Sequence, residues 1–255
     1  MLTPVVEVRT PVLQGTIELR VLIVYRLDPS AVLDLLPAPF EPQMLNDFAV
    51  GAISLSRLSD VRPKGLPSWL GVSGEHATHS FAVKWTDQRR PAVGVFTARR
   101  HTSSRLTAAS GDRLFPGAYG RADFAVEQQG ADLHVAFASR EPSCAVDAAV
   151  TAVDELTSSE LFASTDDASQ LFRRGAVAYS LRRKGGVLDG IEIRTRTWRI
   201  DPARVVHVRS SYFDDVTVFP PGCAVVDSAF VMRDIAADWR AAPPPITSKG
   251  GVWLR

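Results

Sequence analysis

Lysine is the scarce residue in this chain. Of 29 basic residues among 255, only Lys64, Lys84, Lys184 and Lys249 are lysines, and the rest are arginines. Any chemistry that needs a lysine amine has four positions to draw on. Cysteine is scarcer, with Cys144 and Cys223 alone. Two thiols in a chain of this length do not make a disulfide framework, and buried free thiols are the expectation. Long apolar runs are also missing, since stretches such as Val21–Tyr25 are too short to cross a bilayer. The opening MLTPVVEVRTPVLQG has no basic segment followed by an apolar block, so no signal peptide is read there and a cytoplasmic location is expected. A net charge of +1 offers no broad attraction to nucleic acid or to an anionic membrane, so neither is expected as a partner. Arg99-Arg100, Arg173-Arg174 and Arg182-Arg183 are scattered pairs, read as solvated strand ends or hairpin tips. No G-x-G-x-x-G or P-loop occurs, and Gly71–Glu75 lacks the final glycine of a nucleophile elbow. No cofactor is expected.

What the chain does have is strand signal. With 45% hydrophobic residues it can bury one large domain, placed at residues 1–240. Ile17–Leu27, Phe48–Leu58, His76–Trp85, Ala92–Thr102, Ala122–Glu127, Leu133–Ser139, Val177–Arg183, Ile191–Ile200 and Val205–Tyr212 are rich in β-branched, aromatic or alternating residues. Gln129-Gly130-Ala131-Asp132 and Lys184-Gly185-Gly186 read as hairpin connections. Helices are few. One is Pro29–Leu36, with Asp28 as its cap and Pro29 at its first position. Another is Asp166–Arg174, acidic at its start and basic at its end. Ala145–Leu156 fits a helix or a strand. The expected fold class is therefore mainly β, a β-rich α+β barrel or sandwich with a few short helices. Ala241–Arg255, with three prolines and no period, is expected to leave the domain as a mobile tail. Trp253 and Leu254 within it either dock on a neighbour or are exposed.

Five stretches carry more specific wording. In IVYRLDPSAVLDLLPAPFEP (Ile23–Pro42) a Tyr-Arg strand end runs into an Asp-led helix closed by prolines. DVRPKGLPSW (Asp60–Trp69) holds an Arg-Pro-x-Gly-Leu-Pro loop. EHATHSFA (Glu75–Ala82), GDRLFPGAYGRA (Gly111–Ala122) and DSAFVMRDIAADW (Asp227–Trp239) follow in order. Together they resemble the acetoacetate decarboxylase-like superfamily, and most closely its uncharacterised bacterial branch. The resemblance implies a closed or cone-like mixed β-barrel with a small-molecule pocket inside, and self-association by analogy. In the decarboxylases of that superfamily the residue matching Glu75 is a pocket acid. Ala77 stands where Asn is usual, and His79 where Arg is usual. The stretch matching Gly111–Ala122 there ends in Pro-Lys-Lys, whose first lysine forms a Schiff base; Tyr119 and Gly120 fall on those two lysines.

Imine chemistry needs a neutral amine at working pH, so an ordinary lysine must be shifted down by desolvation or a second cation. Tyr119 cannot form an imine. Lys64, Lys184 and Lys249 lie in loops or the tail and are read as solvated. Lys84 sits within a strand on the parity of Ser80 and Ala82. It points to solvent if the aromatic face is core, and enters a pocket if the pocket lies on the small-residue face; solvent is the favoured reading. The densest titratable cluster is Glu75, His76 and His79. Strand alternation puts Glu75 and His79 on one face and His76 on the other. Glu75 with His79 could act as acid and base, against the competing reading of a rim pair. His76 and His79 do not converge as metal ligands on a strand, so no metal is expected. Arg99 shares a face with His101, and could hold a carboxylate or be a strand-edge charge. Arg26 either contacts substrate or ties the first strand to the following helix. Tyr119 donates to a carbonyl or forms part of a wall.

The candidate catalytic residues are therefore Glu75, His79 and Tyr119, with Arg99, Arg26 and His76 as candidate substrate contacts. The expected function is a pocket for a small keto or carboxylate molecule, bound or transformed without a lysine imine. A lyase using Lys84 and a non-catalytic sensor or interaction protein are the rivals.

Overall fold

Alternating β-branched and aromatic residues extend most of the chain. The computed structural model describes residues 11–87, 90–110, 118–140, 143–182 and 186–245. In chain order the elements are β1 (Leu13–Leu27), α1 (Pro29–Leu33), β2 (Glu41–Pro42), β3 (Met44–Leu45), β4 (Phe48–Pro63), β5 (Val72–Asp87), β6 (Arg90–Thr102), α2 (Arg105–Ser110), β7 (Gly120–Gln129), β8 (Asp132–Arg140), β9 (Ser143–Ala152), α3 (Thr165–Arg174), β10 (Val177–Leu181), β11 (Leu188–Thr195), β12 (Asp201–Ser210) and β13 (Ala224–Ala242).

Strands β13, β1, β4, β5 and β6 run side by side, each antiparallel to the next. From β6 the sheet continues through β7, β8, β9 and β12 back to β13. On the other side it returns to β13 through β10 and β11. The closing junctions are short. The parallel pairs β6–β7 and β6–β10 rest on two paired positions each. The result is one large mixed sheet curled into partial rings, mainly β with a few short helices as the sequence leads one to expect.

The five central strands are covered on both faces. Val21, Ile23, Ile53, Leu55, Phe81 and Val231 pack into one core, and Ile17, Val24, Val50, Phe230, Met232 and Ile235 into another. A strand buried on both sides needs no polar face, which is why Val21–Tyr25 reads as an unbroken apolar run. The first core is closed by β8 and β9, through Leu133, Val135, Phe137, Val146 and Val150. The second is closed by α3 and by Leu161, Phe162 and Ile191. Ser164 caps α3, its hydroxyl accepting from the Asp167 N–H at 3.1 Å, with Asp166 and Asp167 in the first turn and Arg173 and Arg174 in the last. Those charges oppose the helix dipole at both ends.

Several expectations are refined. Ala145–Leu156 holds no helix: its residues up to Ala152 belong to β9, and Val146, Ala148 and Val150 alternate into the first core. The first helix stops at Leu33, short of Leu36. The chain does not leave the domain at Ala241, because Ala241 and Ala242 pair with Ile191 and Gly190. The Tyr179 hydroxyl then donates to the Pro243 carbonyl at 2.9 Å. Lys184, Lys249, Trp253, Leu254 and residues 111–117 of the fourth stretch lie outside the described residues. Cys144 is buried and Cys223 half-buried, both as free thiols. Among the described residues no helix is long and apolar enough to cross a membrane.

Candidate ligand-binding site

Three cross-strand rows on the second-core face of β1, β4, β5 and β6 build the floor of a cavity of about 300 Å³. In register they are Arg20–Ser56–His76, Leu22–Ser54–Thr78–Arg100 and Ala52–Ser80–Thr97. Side chains in one row of a sheet are neighbours, and successive same-face rows lie two residues apart. The first two rows hold arginine, serine, threonine and histidine, and the third is smaller. Tyr119, just ahead of β7, closes the polar end. The roof is apolar: Leu171 and Phe172 of α3, Ile191 and Ile193 of β11, Trp198 and Trp239. Trp198 is pinned to α3 by its indole N–H, which donates to the Ser169 hydroxyl at 2.8 Å.

The electrostatics are one-sided. Arg20, Arg100 and Arg173 line the cavity, and no Asp, Glu or Lys does among the described residues. Arg20 donates from Nε to the Ser56 hydroxyl at 3.1 Å. Burial draws its guanidinium down to about 10, so it stays charged at neutral pH. Arg100 is buried, 9% exposed. Its Nη1 reaches the Tyr119 hydroxyl at 3.4 Å, and its guanidinium lies 5.7 Å from the Tyr119 ring centre. Its Nε and Nη2 are buried with no hydrogen-bond partner among the described residues. Burial, and next the Arg100 charge, push His76 down to about 4, so its imidazole is neutral. The His76 and Tyr119 rings meet edge-on at 6.2 Å.

The six residues singled out from the sequence divide between the two faces of the sheet. His76 and Tyr119 line the cavity. Glu75 lies outside it, its carboxylate held by Arg57 Nε at 2.6 Å. His79 faces the other core and is fully buried. It sits among Phe137, Tyr212 and Phe213, with Nε2 3.1 Å from the Ser210 hydroxyl. Burial above all, then His101 and Arg99, lower it to about 3. Arg99 is exposed on that same face, 5.9 Å over the Tyr212 ring, and borders a second cavity of about 340 Å³. Arg26 is tied to Glu160 and lies 5.4 Å over the Phe48 ring. Glu160 lies ahead of α3, so this contact does not tie β1 to the helix that follows it.

A β-bulge explains the exchange of Arg99 for Arg100. The β5–β6 register steps from His79↔Arg99 to Ser80↔Thr97, leaving Ala98 as an extra residue. The inserted residue flips everything beyond it, so Arg100 joins Thr97 on the cavity face. Arg20 was available from the sequence, as a charge flanked by Leu19 and the apolar Val21–Tyr25. Lys84 has the parity of the cavity row His76, Thr78, Ser80 and Ala82, yet lies beyond its end. It is exposed and 3.7 Å from Glu41.

A family model covers residues 16–226, that of DUF2071, an uncharacterized conserved protein family. The chain belongs to this family. No curated protein sequence matches this DUF2071 chain. Solved structures do match in fold. Acetoacetate decarboxylase from Legionella pneumophila subsp. pneumophila str. Philadelphia 1 is similar at a TM-score of 0.63 and 12% identity, over 97% of this chain and 92% of that one. An acetoacetate decarboxylase-like enzyme from Sphingomonas wittichii RW1 is similar at 0.59 and 13%, over 97% and 98%. The enduracididine biosynthesis enzyme MppR, complexed with the condensation product of pyruvate and imidazole 4-carboxaldehyde, is similar at 0.55 and 15%, over 94% and 88%. The DUF2071 chain thus has the acetoacetate decarboxylase-like fold.

Proposed function

We propose that the arginine-lined cavity binds a small carboxylate carrying a keto group, and holds or transforms it without a lysine imine. Arg100 carries the reading. Its Nε–H and Nη2–H lie on one edge of the guanidinium, the edge that grips both oxygens of a carboxylate. Both are buried without a partner among the described residues. Desolvated donors on a cation are costly unless something satisfies them, and an anionic ligand would do so. Arg20 adds a second cation, and among the described residues the lining adds no acid to offset either.

His76 and Tyr119, beside Arg100, are the groups available to a keto oxygen. A neutral histidine near pKa 4 is a weak base at neutral pH, so hydrogen bonding suits it better than proton abstraction. The Phe172, Trp198 and Trp239 side of the cavity favours an acid with an apolar substituent. A volume of about 300 Å³ suits a small molecule. The pyruvate-derived product held by MppR supports the same ligand class.

Calorimetry with pyruvate and with a branched or aromatic 2-oxo acid tests the pocket, and borohydride treatment followed by intact mass tests the imine. The expected result is saturable binding, tighter for the bulkier acid, weakened at least about tenfold by Arg100→Met, with no trapped adduct. Absence of binding, or binding indifferent to Arg100→Met, would overturn the pocket assignment. A trapped adduct would overturn the imine-free chemistry.

A further inference from the structure

On the outer face of the sheet, far from any role in the cavity lining, β8, β9 and β12 bring two histidines onto one carboxylate. His134 Nε2 lies 2.9 Å and His207 Nε2 2.7 Å from the same oxygen, Asp147 Oδ1. The two imidazole rings are 5.9 Å apart. All three candidate ligand atoms fall within 4.8 Å of one another. We propose that His134, Asp147 and His207 form a binding site for a divalent transition-metal ion, of the zinc, cobalt or nickel class, that ties these three strands together.

Two features of the sheet build this cluster. His134 and His207 both stand opposite Ala149, one on each side of it. Residues in one row of three strands would ordinarily be held apart by the middle side chain. Alanine is small enough for the imidazoles to lean over it towards Asp147, two residues along β9. The second feature is a bulge. The β9–β12 register steps from Val205↔Val150 to His207↔Ala149, so Val206 is extra. In a regular ladder Val206 would take the place opposite Ala149, and His207 would stand opposite Ala148, which is buried, and point into the core. The bulge turns it outward to its partners.

The donor set is chemically apt. Two imidazoles and one carboxylate match the ligand preferences of these ions and leave coordination positions open for water. Each Nε2 is already aimed at the shared oxygen, and a bound ion would take up the position between them as the imidazoles present lone pairs in place of N–H donors. The nearest charges on adjoining strands are Glu127, opposite His134, and Arg209, opposite Asp147. They oppose each other in sign. Side-chain exposures of 39%, 52% and 46% for His134, Asp147 and His207 leave the site open to solvent and free to adjust.

The test uses tag-free full-length protein, titrated with Zn²⁺ by calorimetry and with Co²⁺ by visible absorption, alongside thermal unfolding with and without Zn²⁺. One equivalent is expected to bind and to raise the unfolding temperature. His134→Ala, His207→Ala and Asp147→Asn should each weaken binding at least about tenfold and abolish the Zn²⁺-dependent rise. Because the three side chains are solvent-exposed, the metal-free unfolding temperature of each variant should stay close to that of the parent. Absence of one-equivalent binding, or binding that persists unchanged in the His134→Ala/His207→Ala double variant, would overturn the site. Ligand binding at Arg100 is a separate readout on the opposite side of the strand wall.

Discussion

Arg20 and Ser56 stand directly opposite each other on β1 and β4, and the arginine Nε donates to the serine hydroxyl at 3.1 Å. Ser56 in turn lies 3.2 Å from the Ser54 hydroxyl. The pair fixes one cation at the polar end of the cavity while Arg100 supplies the other from β6. Arg20→Met removes a charged donor and keeps an apolar stem. We expect 2-oxo acid affinity to fall about 10- to 100-fold, with an unfolding temperature unchanged or raised, since replacing a buried charge by a packed hydrophobe is often neutral or stabilising. Calorimetry and thermal melts read the two effects separately. Unchanged affinity would remove Arg20 from the site.

Lys84 offers a contrasting variant. It is exposed and loosely paired with Glu41 at 3.7 Å, a contact worth about 0–1 kcal/mol. Lys84→Ala should leave ligand affinity within about twofold and the unfolding temperature nearly unchanged. A large loss of binding would revive the lysine-dependent reading.

His79 makes stability depend on pH. Its folded pKa is lowered to about 3 from an ordinary 6.5, so between these values the unfolded chain binds the proton that the folded chain refuses. Stability from this group is complete above pH 6.5 and declines as pH falls towards 3. His76, lowered to about 4, acts in the same direction. Urea unfolding at pH 7 and pH 4.5 should show a loss of stability that His79→Gln reduces by roughly 2–3 kcal/mol. Equal losses in parent and variant would contradict the neutral buried histidine.

Gly94 marks the close approach of β6 and β10. A Cβ there would lie 2.6 Å from the Val177 carbonyl oxygen and 3.1 Å from the Trp85 ring. Backbone cannot move aside as a side-chain tip can, so Gly94→Ala should destabilise by about 1–3 kcal/mol, lowering the unfolding temperature by several degrees. A melt identical to the parent would show that the junction is looser than its geometry implies.

Much of this arrangement was legible along the chain. The alternation of β5 alone places His76 and His79 on opposite faces, and the structure keeps them there. Alternation could not decide which face held the cavity, because both faces of the central strands are buried. The substitution of Arg100 for Arg99 was hidden for a different reason: the bulge falls on Ala98, a residue with no bulge signature. Asp227–Trp239, within the nineteen residues of β13, carries a motif but no clear strand pattern, because Asp227, Arg233, Asp234 and Asp238 interrupt the apolar run. Partners far away in sequence account for two of these. Asp227 accepts from the Glu160 N–H and the Ser159 hydroxyl, and Asp238 from Lys64. The roof residue Phe172 gives no sign of a cavity either, since helix amphipathicity looks the same over a packed core and over a void.

The strand wall shared by the two cores has an evolutionary consequence. Even-numbered positions of β4 and β5, such as Ser54, Ser56, His76 and Thr78, can be exchanged for new ligand chemistry while odd-numbered Ile53, Leu55, Phe81 and Val83 go on holding the other interior together. Substitution in such a wall tunes one chamber at a time. Regular pairing of Ala98 with His79 would instead trade the contents of the chambers, putting His101 beside the ligand and the Arg100 guanidinium into the aromatic core. Lineages of this fold are expected to change specificity by replacement and to tolerate length changes only where strands end.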